Sequence, residues 1–191
     1  MVSAVRADAQ ANRAKIIDAA LQLYAERGDR PPMSTVAHRA GVGIATLYRN
    51  FADPRALERA LLQSIAARII AVCERGAVAL DTSPEEGWRR FATEIFELRL
   101  GSVFPVIADL RQNDDEFMAS VSGTRRGVIA AITQVVDRAK SHGLVDKSVD
   151  PFTFQVGLGL LSRPIPALVL QEIPDLESWL VRVYLAGIRP R

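Results

Sequence analysis

The chain is poor in the residues that staple a small protein or bind a metal. A single cysteine, Cys73, excludes an internal disulfide, and the two histidines, His38 and His142, lie too far apart in sequence to suggest a metal-ligand cluster. No run approaches the roughly 18 uncharged apolar residues of a membrane span. The longest candidate, Phe152 to Leu170, is interrupted by Arg163, Pro164 and Pro166. The opening MVSAVRADAQANRAK is basic but lacks the apolar core and small-residue cleavage site of a secretory leader. Serines are scattered, no G-x-S-x-G occurs, and neither histidine has a convincing partner, so no nucleophilic catalytic set is recognisable. These absences point to a cytoplasmic protein that is not an enzyme and needs no metal, cofactor or membrane.

What is present is an ordinary globular balance, 49% apolar and 24% charged residues over 191 positions, enough to bury a core without staples. Net charge is only +2, yet residues 1–60 hold nine Lys and Arg against six Asp and Glu, a local excess of +3. That excess permits an anionic partner without demanding one. Strand-like alternation is absent, whereas apolar residues recur at three- and four-residue spacing throughout, which predicts an all-α protein.

Punctuation divides the helices. Ile16, Ile17, Ala20, Leu21 and Tyr24 form one stripe of a first helix over about 9–27, with Gly28 as its stop. Two short helices follow, 33–40 and 43–51, before Asp53-Pro54 opens a longer one as N-cap and first residue. Ser83-Pro84-Glu85-Glu86 repeats that start signal. Beyond Gly101 a short helix through Val106 to Arg111 precedes a long one opened by Asn113-Asp114-Asp115-Glu116 and closed at His142-Gly143. Asp150-Pro151 opens the next helix and a last one runs from about Asp175 to Gly187; the dimer interface is expected on these two, near Gln155 to Gln171 and Asp175 to Gly187.

The stretch AGVGIATLYRNF, residues 40–51, is the most informative. At 100° per residue, Leu47 and Phe51 share a narrow anchoring face, while Ala45 and Arg49 point the opposite way and Thr46 and Tyr48 flank it. Upstream, Val36, Ala37 and Ala40 make a compact apolar face, and Gly41 supplies a sharp turn. The pair reads as a helix-turn-helix whose second helix enters the major groove of DNA, although by itself it also fits an ordinary two-helix corner. Small side chains at Gly43 and Ala45 would permit close approach. Thr46 and Tyr48 offer hydroxyls, and Arg49 can pair with phosphate or guanine. Arg6, Arg13 and Lys15 either add phosphate contacts or belong to a frayed, solvated terminus.

NRAKIIDAALQLYAERG, followed by STVAHRAGVGIATLYRNF and PRALERAL, resembles the DNA-binding domain of the TetR family of bacterial transcriptional repressors over about residues 10–60. The resemblance implies an N-terminal three-helix helix-turn-helix domain over 1–53, with its motif at about 32–51, and a C-terminal helical domain over 54–191 that binds a ligand and dimerises. It implies base and backbone contacts from Thr46 and Tyr48, with Gly43 at the start of the reading helix. Three positions depart from the family pattern: Pro31 and Pro32 replace a capping threonine, Asn50 replaces a histidine or tyrosine, and Pro54 replaces a lysine. Ser34 and Arg55 are the nearest substitutes. The candidate DNA-facing set is therefore Ser34, Gly43, Ile44, Ala45, Thr46, Tyr48, Arg49, Asn50 and Arg55.

On the same implication, the C-terminal domain would hold a largely apolar small-molecule effector. Trp88, Phe91, Ile95, Phe104, Ile107, Phe117, Val121 and Phe152 are candidate apolar lining, with Arg111, Gln155 and Arg163 as polar contacts; each also reads as plain core or surface. Arg163, a charge within an apolar run, must face a cavity, join a salt bridge across a dimer, or reach outward to water. The acidic run 114–116 reads as first-turn acids on a solvated helix, not a metal site. The expected protein is a homodimeric, ligand-responsive repressor of a pseudo-palindromic double-stranded operator, paired through its last two helices. The alternatives are a helical small-molecule-binding protein or an enzyme without DNA function.

Overall fold

The structure is a computed structural model and describes residues 2–27, 30–104, 107 and 115–190. Among these residues there are helices and no strand. They are α1 (Val2–Arg27), α2 (Met33–Ala40), α3 (Ile44–Asn50), α4 (Pro54–Thr82), α5 (Pro84–Glu97), a 3₁₀ turn (Leu100–Ser102), α6 (Asp115–Ser120), α7 (Ser122–Ser141), α8 (Pro151–Leu161), α9 (Ala167–Glu172) and α10 (Leu176–Gly187). The first helix starts earlier than the apolar stripe suggests, because its leading residues are rich in alanine, a strong helix former. Gly28, Asp114 and the short helix expected through Val106 to Arg111 lie outside the described residues, save Ile107; so does the side chain of Arg6.

The start signals act as local chemistry requires. Asp53 Oδ1 accepts from the Ala56 N–H at 2.7 Å, and Asp150 Oδ2 accepts from the Thr153 N–H at 2.8 Å, each capping a helix that has proline at its first position. Ser83 makes no such side-chain bond. The helix expected from Asp150-Pro151 to about Gln171 is instead two: α8 ends at Leu161 and α9 begins at Ala167. Pro164 and Pro166 lie between them, and neither can donate to a helical ladder. The long helix expected from Asn113 to His142 is likewise divided, at Val121, into α6 and α7.

Two compact units result: residues 1–64 with 103–121, and residues 65–102 with 122–191. In the first, α1 packs on both α2 and α3. Its core is Ile16, Ala20, Leu23 and Tyr24 of α1, Val36 and Ala37 of α2, Leu47 of α3, Phe51, and Leu57 and Leu61 of α4. In the second, α8 contacts α5, α7, α10 and the 3₁₀ turn. An aromatic cluster sits there: the Trp88 ring centroid lies 5.5 Å from Phe91 and 5.0 Å from Phe154, which in turn is 5.9 Å from Tyr184. Gly87 lets this side of α5 approach α4 closely, since a Cβ there would stand 2.6 Å from the Ala79 carbonyl carbon.

Where α5 ends, Arg99 takes a left-handed conformation, φ 54°, uncommon for a side-chain-bearing residue. Its guanidinium makes two bonds to Glu177 of α10, 2.6 and 2.8 Å, and holds that carboxyl below its usual range. Cys73 is buried, and burial pushes its thiol up to about 12. No helix among the described residues is long and apolar enough to cross a membrane.

Candidate nucleic-acid interface

The reading head is built from a turn that only glycine enters cheaply. Gly41 has φ +66°, and behind it the Val42 N–H donates to the Ala37 carbonyl (3.0 Å) and the Gly41 N–H to that of His38 (3.1 Å). This is the Schellman arrangement, which satisfies two carbonyls at the end of α2 and turns the chain sharply. Pro32 occupies the N-cap position of α2, with no side-chain cap there; Ser34, inside the first turn, is exposed.

Two residues later, Gly43 caps α3 in an ordinary extended conformation, φ −65°, and a Cβ built on it meets nothing within 4 Å. The fold itself does not require a glycine at this position. Leu47 and Phe51 are buried on the α1 and α2 side. Outward, Ile44 is 45% and Tyr48 49% exposed. Gly43, Ala45 and Arg49 are exposed beside them, and Thr46 is half-buried. Arg49 Nη2 donates to Thr46 Oγ1 at 2.8 Å, so the guanidinium lies along the same outer face. Asn50 turns back: its Nδ2 donates to the Thr46 carbonyl at 2.9 Å.

In the same unit a buried carboxylate ties α4 to α1 and to the segment ahead of α2. Glu58, 2% exposed, accepts from the Tyr24 hydroxyl (3.1 Å) and Arg30 Nε (2.6 Å) on Oε1, and from Arg55 Nη1 (3.0 Å) on Oε2. Burial first, then the Glu58 charge, holds the Tyr24 phenol well above its ordinary range. Arg55 therefore points into the unit toward Glu58, with its guanidinium 5.8 Å from the Phe117 ring centroid. Arg59 is 5.4 Å from the same ring, and its Nε donates to Ser120 Oγ at 3.3 Å. Arg39 of α2 pairs with both oxygens of Glu26 in α1. Sequence reasoning missed the Glu58 hub. Its one available signal was a glutamate among the apolar residues of the first turns of α4.

The candidate effector residues divide between the units. Phe104, Ile107, Phe117 and Val121 fall in the first, where the latter two are buried. Trp88, Phe91 and Ile95 are buried core of the second, and Phe154 and Tyr184 complete their cluster without having been singled out. Trp88 Nε1 and Ser102 Oγ are buried without a hydrogen-bond partner. Phe152 is exposed beneath the Arg125 guanidinium, Gln155 is half-buried and Arg163 is exposed. Arg111 lies outside the described residues. A groove of about 460 Å³ runs between α4 and α5, bordered by Arg75, Val78, Arg90, Phe91 and Glu94 among others. Among the described residues, no three His, Cys, Asp or Glu side chains gather as metal ligands.

A short two-helix unit with a glycine turn, a buried anchor side and an outer face of small, hydroxyl and cationic groups defines a helix-turn-helix DNA-binding regulator. Residues 16–61 match the family model for bacterial regulatory proteins, tetR family. That match spans the helix-turn-helix unit, from α1 into α4. The chain's fold is similar along nearly the whole length to a TetR transcription regulatory protein from Mycobacterium vanbaalenii, at 24% identity and a TM-score of 0.65, covering 97% of this chain and 99% of that one. A TetR transcriptional regulator from Streptomyces coelicolor is similar at 25% identity and a TM-score of 0.64, covering 93% and 98%. The fatty acid degradation regulator of Bacillus halodurans shows the same fold at 21% identity, with a TM-score of 0.61 over 94% and 97%. No curated protein matches significantly.

Proposed function

We propose that the protein is a ligand-responsive repressor, active in the cytoplasm as a homodimer on a pseudo-palindromic operator and without catalytic activity of its own. Residues 1–53 read DNA, and residues 54–191 sense the effector and dimerise. The observation that carries the reading is the outer face of α3, where Ile44, Ala45, Thr46, Tyr48 and Arg49 are presented on the Leu47 and Phe51 anchors. Such a face suits phosphate and base-edge contacts in a major groove.

Support for a dimer comes from the chain's end. Leu160, Leu168, Ile173, Trp179 and Val183, on and between α8, α9 and α10, are large apolar residues left exposed in one chain. An isologous contact would cover them, and two copies could then read two half-sites. An effector bound better by one spacing of the reading heads than by another would shift the population and release the operator.

Selection of duplexes from a random-sequence library, followed by a gel shift, tests the reading. Saturable, salt-sensitive binding that Tyr48→Ala abolishes is expected; enrichment of no duplex by the wild-type protein would sink it. Light scattering at micromolar concentration should report a dimer, and a monomer would contradict the pairing.

A further inference from the structure

Arg13 reaches from α1 to the far end of α3. Its Nη1 donates to the Asn50 carbonyl at 3.3 Å, and its guanidinium carbon lies 4.4 Å from the centroid of the Phe51 ring. Asn50 and Phe51 are the residues at which α3 stops. That stop lacks a donor for a reason written in the chain. A continuing helix would satisfy the Asn50 carbonyl with the N–H of residue 54, and residue 54 is a proline. Two carbonyls further back also have donors: Leu47 accepts from the Phe51 N–H at 2.9 Å and Thr46 from the Asn50 side chain. Arg13 supplies a donor to the Asn50 carbonyl, and a cation there also complements the negative end of the helix dipole.

We propose that Arg13 is a positioning residue of the reading head, fixing the exit of α3 and hence the heading at which Tyr48 and Arg49 meet the groove, without touching DNA itself. With seven residues α3 is too short to hold its own geometry in water, so its direction depends on what grips each end. Gly41 and its Schellman bonds grip the entry. Arg13 grips the exit through one hydrogen bond and one cation–π contact, and a planar guanidinium makes the two together with less loss of freedom than an ammonium does. The inference rests on α3 being the DNA-reading helix.

Arg13→Gln and Arg13→Lys in the full chain test it. The probe is the duplex that wild-type protein enriches from a random-sequence library, set against a scrambled duplex of equal length. Arg13→Gln should lose about tenfold in affinity for the enriched duplex, the scale of one exposed cation–π contact and one hydrogen bond, with Arg13→Lys between it and wild type. The scrambled duplex should bind as before, with an unchanged salt slope. A phosphate contact predicts otherwise: both duplexes weaken together for Arg13→Gln, and the slope falls by about 0.9 per lost contact. That pattern overturns the proposal. Hydrogen exchange on the free protein gives a reading that needs no DNA. Arg13→Gln should speed exchange of the Phe51 amide relative to amides of α1 and α2, and unchanged protection overturns the proposal even where binding falls. If wild-type protein binds no duplex while the exchange effect persists, the assignment of α3 as DNA reader fails and the Arg13 grip stands.

Discussion

Replacing Glu58 by glutamine keeps the shape of the side chain and removes its charge. The amide oxygen can still accept from Tyr24 and Arg30, but the amide nitrogen then faces Arg55 Nη1, donor against donor. Arg55 and Arg30, with side chains 33% and 44% exposed, can turn toward water, so their loss is largely screened. The new amide N–H₂ has no such escape at a site 2% exposed, and stranding it costs about 1–3 kcal/mol. Loss of charge assistance at the two better-placed bonds adds about 1 kcal/mol. Glu58→Gln should therefore destabilise the protein by about 2–4 kcal/mol. The matching fall in Tm is roughly 5–15 °C for a chain of this length. Urea unfolding followed by far-ultraviolet circular dichroism measures the change directly. A variant within about 0.5 kcal/mol of wild type, the range of an ordinary surface substitution, would refute the argument that this carboxylate holds the head together.

Gly41→Ala should cost about 1–2 kcal/mol because its left-handed backbone is strained for any side chain, whereas Gly43→Ser should stabilise by about 0.4–1 kcal/mol; equal effects in thermal melts would contradict the distinction. Ala45→Leu, on the exposed start of α3, should leave stability within about 0.5 kcal/mol yet weaken binding to a selected duplex at least tenfold, by crowding worth about 1–3 kcal/mol. Burial raises the Tyr184 phenol from 10.0 to about 12, and the Tyr24 phenol shifts the same way. The unfolded chain thus loses these protons first, and unfolding free energy should fall as pH rises through that window. Tyr184→Phe should flatten the fall measured by urea titration, and an unaltered slope would count against it.

Local chemistry was legible in the chain and distant chemistry was not. The Gly41 turn, the Leu47 and Phe51 anchors, and the caps at Asp53 and Asp150 each depend on residues within about one helical turn, so spacing alone exposes them. Glu58 draws on Tyr24 and Arg30, 34 and 28 positions away, and no periodicity links such partners. Arg13 shows the same limit: from its position it reads as a terminal cation, and only the folding of α1 across α3 brings it to Asn50, 37 positions on. Arg55 and Glu58 stand three apart on α4, a pairing that spacing does reveal, whereas the burial of Glu58 needed the tertiary packing. Trp88 and Phe91 stood out as aromatic, but their companions Phe154 and Tyr184 come from α8 and α10, so the cluster needed the tertiary packing. The break between α8 and α9 was announced by Pro164 and Pro166, and the strength of the surrounding apolar run masked it.

The two tryptophans make the second unit its own optical reporter. Trp88 is 2% exposed within the aromatic cluster, and Trp179 is 50% exposed on the apolar surface of α10. Light emitted from the first should be blue-shifted and shielded from a dissolved quencher, and that from the second red-shifted and accessible. Covering the α10 surface would change one colour and spare the other, so a dilution series could separate pairing of chains from loosening of the core without any added label.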